Sequence, residues 1–204
     1  MTKEFWNSRY AEESFAYGVE PNAFFKEQLT KLKPGKILIP GDGEGRNGVY
    51  AATQGWEVSS FDLSSEGKRK AELLAKEKGV QIDYRVGELA QMDYPEEYFD
   101  ALLLVFAHFP EKLRKDYHHR LIKFLKKGGV LIIEGFSKEH LEYSAANPKS
   151  GGPKDIGMLY SEDEIRSDFQ SFNVRILSTE VVELQEGLFH QGTSSLIRFV
   201  GTRS

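Results

Sequence analysis

The run Gly41-Asp42-Gly43-Glu44-Gly45-Arg46-Asn47-Gly48 constrains this chain more than any other stretch. It follows the short apolar segment 36–39, itself preceded by Pro34-Gly35, and leads into a helical stretch over 46–53. A short apolar run bounded by turn residues reads as a buried strand. Glycines permit a tight turn and let a ligand approach the backbone closely. The free N–H groups that open the next helix then point at that ligand and favour an anionic group. Strand, glycine turn and helix in that order predict a parallel sheet wound with helices.

The alternation continues along the chain. Segment 57–61 reads as a second strand ending at Asp62. Ser64 is placed to cap a helix running to Lys78, which Gly79 stops. A third strand is expected over 81–86, and the nearly continuous apolar segment 100–107 suits a strand buried on both faces. A helix over 113–125 ends at Lys126-Lys127-Gly128-Gly129, and 130–134 is the fifth strand. Residues 137–157, rich in Gly, Pro, Ser and Asn, read as a long loop. Ser161 with Glu164 has capping-box spacing. Segments 174–184 and 194–200 then form an antiparallel hairpin at the sheet edge, while the first 32 residues form one or two helices beside or over the sheet.

Bulk properties narrow the function. A chain of 204 residues with mean hydropathy −0.46 predicts one domain over 1–204. The formal net charge of −4 gives no basic footprint for nucleic acid. With no cysteine, a disulfide framework, a zinc–thiolate site and a cysteine nucleophile are excluded. Apolar runs such as 101–107 fall far short of the roughly 20 residues of a membrane helix. The start, Met1-Thr2-Lys3-Glu4-Phe5-Trp6, has no apolar signal core, so a soluble cytoplasmic protein is expected.

Asp62 lies nineteen residues after Gly43, and a carboxylate at that strand end can accept two hydrogen bonds from a ribose diol. Together with the glycine turn it predicts a nucleoside site at the carboxyl ends of the strands. The string itself leaves two chemistries open. Gly43, Gly45 and Gly48 also satisfy G-x-G-x-x-G, so an NAD-dependent oxidoreductase stands beside a methyltransferase on this ground alone.

Other motifs separate them. Gly41 to Gly45 resembles the first motif of class I S-adenosylmethionine-dependent methyltransferases, and Phe61-Asp62-Leu63-Ser64 their second. Leu125-Lys126-Lys127-Gly128-Gly129-Val130-Leu131-Ile132 is similar to their signature before the fifth strand, which is rare in dehydrogenases. Within the class, Gly43-Glu44-Gly45-Arg46-Asn47, His108, Gly151-Gly152-Pro153-Lys154 and Glu186-Gly187-Leu188-Phe189-His190-Gln191-Gly192 resemble small enzymes of the tellurite-resistance and thiopurine-methyltransferase-like group. The resemblance implies a Rossmann-like α/β fold with a seven-stranded, mostly parallel sheet, helices on both faces and an antiparallel C-terminal hairpin. It implies S-adenosylmethionine as cofactor and a small-molecule methyl acceptor. One departure stands out: where the resemblance calls for an acidic residue two positions before the first motif glycine, this chain has Ile39, followed by Pro40.

The expected cofactor-binding residues are Tyr10, Tyr17, Gly41, Gly43, Gly45, Arg46, Asp62, Leu63, Glu88, Leu89 and Phe106, with residues 1–32 as a helical cover. Glu88-Leu89 is the candidate pair at the adenine end. Arg46 opens a helix, where a cation opposes the dipole, so a use is expected: binding the cofactor carboxylate or an anionic substrate. His108, Tyr17 and His190 are the candidate catalytic residues, and the loop over 137–157 is placed on the acceptor side. His118 and His119 are expected on a solvated helix face, together with Lys112, Arg114, Lys115 and Arg120. Adjacent histidines do not share a helical face, so no metal is predicted. A monomer or weak homodimer without nucleic-acid or membrane partners is expected. A non-catalytic S-adenosylmethionine-binding protein is the alternative that keeps the same fold.

Overall fold

The computed structural model describes residues 2–204. Helix α1 (Lys3–Tyr10) and helix α2 (Ala23–Leu29) precede the sheet. Then follow β1 (Lys36–Pro40), α3 (Arg46–Thr53), β2 (Glu57–Asp62), α4 (Ser65–Glu77), β3 (Asp83–Val86) and β4 (Phe99–Val105). The chain continues with α5 (Glu111–Phe124), β5 (Leu125–Phe136), α6 (His140–Ala146), α7 (Glu162–Asp168), β6 (Phe172–Glu186) and β7 (His190–Arg203). The strands form one sheet in the order β3-β2-β1-β4-β5-β7-β6. Strands β1 to β5 pair in parallel, and β7 runs antiparallel to both β5 and β6. This is the seven-stranded, mostly parallel architecture the motifs imply.

Period-two alternation distributes the strand side chains between two cores. Leu38, Leu102, Leu104, Leu131 and Ile133 face α5 and α7, where they meet Leu121, Phe124, Ile165 and Phe169. Ile37, Ile39, Leu103, Val105 and Ile132 face the opposite way, onto Phe24, Phe25 and Leu29 of α2 and Ala51 of α3. Each such side chain is essentially solvent-free and contributes about 1.5–3 kcal/mol of transfer free energy. Helix ends follow local chemistry. The Ser64 hydroxyl accepts from Gly67 N at 3.0 Å, Gly79 takes the left-handed conformation after α4, and Ser161 with Glu164 forms the expected capping box. Among the described residues, no helix is long and apolar enough to cross a membrane.

Three expectations are corrected. Segment 137–157 is not wholly loop: it carries α6 and, with Met158, two short 3-10 turns, Pro148–Ser150 and Ile156–Met158. His140 and Ser144, one helical turn apart, are both buried, and α6 packs on β7; that tertiary contact outweighs the polar composition. Lys126-Lys127-Gly128-Gly129 does not sit between two elements but bulges from β5, because the pairing jumps from Phe99↔Leu125 to Ala101↔Val130. His118 and Arg114 are not solvated. They lie four apart on the buried face of α5, where Asp168 of α7 accepts from Arg114 Nε at 3.2 Å and meets His118 Nδ1 at 2.8 Å. A carboxylate from 50 residues away makes that burial tolerable.

Candidate active site

The carboxyl end of β1 opens into the glycine turn. Gly41, Gly43 and Gly45 all have positive φ (67°, 58° and 82°). A Cβ at Gly45 would run into Ala71 of α4, and one at Gly43 would come within 2.7 Å of the Tyr10 hydroxyl. The turn is pinned from behind. Asp62 accepts from Gly43 N at 3.1 Å and Ser64 N at 2.9 Å, and the Tyr84 hydroxyl donates to Gly43 O. Burial pushes the Asp62 carboxyl up to about 6, against its backbone hydrogen bonds. Leu63 beside it is half-buried. At the far end, Glu88 is exposed and caps the 3-10 turn Leu89–Gln91, while Leu89 is buried in the core beside Phe61 and Met92.

The two other acids of the turn are bonded within the protein. Asp42 accepts from Ser60 Oγ at 2.8 Å and Gly48 N at 3.3 Å. Glu44 pairs with Lys70 at 2.8 Å and accepts from Ala16 N at 2.8 Å, which fastens the segment between α1 and α2 to α4. That segment carries Tyr17, and the tip of the β6–β7 hairpin rests on it: Leu188 N donates to Ala16 O at 2.8 Å. Arg46 reaches the same place, donating to Tyr17 O at 3.3 Å and to Glu186 Oε2 at 2.8 Å.

The first catalytic candidates meet here. The rings of Tyr17 and His190 lie 4.5 Å apart, and Phe106 lies 4.4 Å from His190. Phe106 has φ 51°, a conformation costing about 1–3 kcal/mol that is kept at the end of β4, where the site lies. His190 Nδ1 bonds Glu186 Oε2 at 3.3 Å, and among the described residues no group bonds its Nε2. Burial depresses His190 below the ordinary histidine range, against its Glu186 hydrogen bond, so the ring is neutral at pH 7. Burial pushes the Glu186 carboxyl up, but His190 and Arg46 more than offset this and hold it at about 2. Tyr10 stands 6.5 Å from Tyr17 and stacks on Trp6.

His108 is placed differently. Its Nδ1 bonds Met158 O at 2.7 Å and its Nε2 accepts from Phe136 N at 3.1 Å, so both nitrogens are used inside the chain. Burial lowers its pKa to about 4. Residues outside the expected set complete the cluster. Phe136 lies 4.8 Å from Phe106, and His140 stacks on Phe136 at 4.1 Å. A Cβ on Gly151 would sit 2.8 Å from His190 Cδ2. The paired glycines 151–152 were the one local signal of a close approach there; nothing local marks Phe136 or His140. Among the described residues, no group of three His, Cys, Asp or Glu converges as a metal cluster.

The fold is that of the class I methyltransferases, and residues 37–129 match the family model described as a methyltransferase domain. Among curated relatives, thiopurine S-methyltransferase of Vibrio cholerae is 24% identical over 191 residues, covering 84% of this chain and 86% of its own. Ubiquinone biosynthesis O-methyltransferase of Rickettsia conorii is 26% identical over 121 residues, covering 59% of this chain; the match spans only 42% of that protein. A structure from work on the conversion of a disulfide bond into a thioacetal group during echinomycin biosynthesis superposes with TM-score 0.80 at 18% identity, covering 99% of this chain and 91% of that one. TehB from Haemophilus influenzae gives 0.72 at 13% identity, covering 99% and 67%. Magnesium protoporphyrin IX methyltransferase from Synechocystis, solved with bound S-adenosylhomocysteine, gives 0.66 at 17% identity, covering 88% and 82%. The Asp62 carboxylate, beside the glycine turn at the carboxyl end of β2, has the acceptor chemistry that the ribose diol of such a cofactor needs.

Proposed function

We propose that this chain transfers a methyl group from S-adenosylmethionine to a small acceptor whose attacking atom carries a proton. One observation carries the reading: Tyr17, Phe106 and His190 converge at the carboxyl end of the sheet, and Arg46 from the helix after the glycine turn reaches Tyr17 O beside them. When bound, the cofactor supplies an already activated methyl carbon on a sulfonium. Gly41, Gly43 and Gly45 admit it to the backbone, with Leu63, Glu88 and Leu89 towards the adenine end. Asp62, ionised above about pH 6, accepts the ribose hydroxyls. The faces of Tyr10, Tyr17 and Phe106 favour a cation by about 0.5–2 kcal/mol.

Positioning does most of the chemical work, up to about 7–11 kcal/mol in well-aligned systems. His190 adds a base: Glu186 orients Nδ1, and the free neutral Nε2 takes the acceptor's proton, an effect of about 10²–10⁴ in rate. His108, with both nitrogens engaged, holds Phe136 and the turn at Met158 rather than acting as base. Segment 137–157 borders the acceptor side through Gly151. Because these residues all come from one chain, a monomer or weak homodimer suffices.

Calorimetric titration with S-adenosylmethionine, S-adenosylhomocysteine and NAD tests the reading. Micromolar binding of the first two and none of NAD is expected. Turnover is then screened on aryl thiols and phenols by release of S-adenosylhomocysteine. His190→Gln should keep S-adenosylhomocysteine affinity within twofold while turnover falls at least a hundredfold. Binding of NAD alone would sink the proposal, and undiminished turnover in His190→Gln would remove the base.

A further inference from the structure

An S-adenosylmethionine site must accommodate an amino-acid tail, with its α-carboxylate and α-ammonium side by side. The carboxyl end of β1, nearest the glycine turn, offers no anion: Ile39 is 2% exposed and packed in the core, and Pro40 follows it. Both acids within the turn are consumed, Asp42 by Ser60 and Gly48, Glu44 by Lys70 and Ala16. Another opposite-charge pair lies beside the turn, in contact with Tyr17 and His190. Arg46, at the start of α3, meets Glu186, which arrives from the tip of the β6–β7 hairpin 140 residues later.

This pair is nearly desolvated, with side chains 8% and 13% exposed. Removing both charges from water is costly, and such a pair is weak evidence for stability on its own. The cation also opposes the dipole of the helix it opens. Glu186 is held from two further sides, by Asn22 Nδ2 at 3.0 Å and by His190 Nδ1 at 3.3 Å. Among the described residues, Arg46 has beside Glu186 just one other partner, the backbone carbonyl Tyr17 O at 3.3 Å. The carboxylate is therefore fixed by neutral donors without Arg46, and the guanidinium is free to exchange partner.

We propose that Arg46 and Glu186 form a zwitterion clamp: each charge satisfies the other until the cofactor's amino-acid tail arrives, when Arg46 takes its carboxylate and Glu186 its ammonium. The carboxylate that β1 lacks is thus supplied by the C-terminal hairpin, and cofactor binding draws the hairpin tip and the glycine turn together. The inference rests on the cofactor reading above.

Calorimetry with three probes separates the two. S-adenosylhomocysteine carries both charges, its deaminated analogue only the carboxylate, and 5′-methylthioadenosine neither. The wild-type protein should bind S-adenosylhomocysteine at least thirtyfold more tightly than 5′-methylthioadenosine. Glu186→Gln should weaken S-adenosylhomocysteine at least tenfold and leave the other two within twofold. 5′-Methylthioadenosine binding also reports that the variant is folded, and Arg46→Met should weaken both carboxylate-bearing probes. An equal loss on all three probes in Glu186→Gln, or no loss on any, overturns the clamp and leaves a structural staple. Wild-type protein that binds none of the three overturns the cofactor reading itself.

Discussion

Asp42 stands inside the glycine run yet faces away from it. Burial raises its carboxyl from the ordinary 3.8 to about 7, against the hydrogen bonds from Ser60 and Gly48. The folded chain therefore keeps this proton up to about pH 7, while the unfolded chain releases it near 4. Between those values the folded state binds more protons, so this group's contribution to stability falls as pH rises from about 4 to 7. Asp62, raised to about 6, adds a slope of the same sign over a narrower window. Asp42→Asn keeps an acceptor for Gly48 N and removes the titration. Its denaturant midpoint should change less between pH 5 and 7.5 than the wild-type midpoint does; an unchanged difference would show that Asp42 is ionised throughout. At this scale the sequence showed the glycine turn and singled out Asp62, but it did not show which way Asp42 and Glu44 point. Only their partners Ser60 and Lys70, distant in the chain, show that both face inward.

Between elements, the site depends on the hairpin tip meeting the segment between α1 and α2. Gly187 has φ 60°, and a Cβ there would collide with Ala16, Tyr17 and Gly18. Gly187→Val combines backbone strain of about 1–3 kcal/mol with that collision. The variant is expected to lift the tip from the segment. Limited trypsin digestion should then cut faster at Arg9, and S-adenosylhomocysteine affinity should fall at least tenfold while the sheet stays folded. Unchanged proteolysis and affinity would mean the tip contact is incidental. The hairpin was legible from its apolar segments, though β6 and β7 extend beyond 174–184 and 194–200. The added residues, among them Glu186 and His190, are the ones that enter the cluster; their polarity hid them from an apolar pattern.

For the whole molecule, the cluster joins the N-terminal segment, the centre of the sheet and the C-terminal hairpin. A ligand bound there holds all three in the folded state. At a hundred times its Kd, S-adenosylhomocysteine should add about 2.7 kcal/mol of stability. For a chain of this size that is a rise in Tm of roughly 5–10 °C. Thermal scanning by circular dichroism checks it, and no rise at such a concentration would mean that the folded chain does not bind the ligand in preference to the unfolded one.

The sequence by itself determined the order of strands and helices, the parallel sheet and the glycine turn at the carboxyl end of β1. Those features are written in neighbouring residues: apolar periodicity, caps, and glycines at a turn that demands positive φ. It also brought Tyr17, Phe106 and His190 forward as candidates, without showing that they touch. Tertiary structure alone decided that His108 spends both nitrogens on the backbone, that His118 and Arg114 are buried around Asp168, and that Glu186 faces Arg46. Each of these depends on a partner 28 to 140 residues away, and charge, burial and proton affinity are properties of the pair, not of either residue's local sequence.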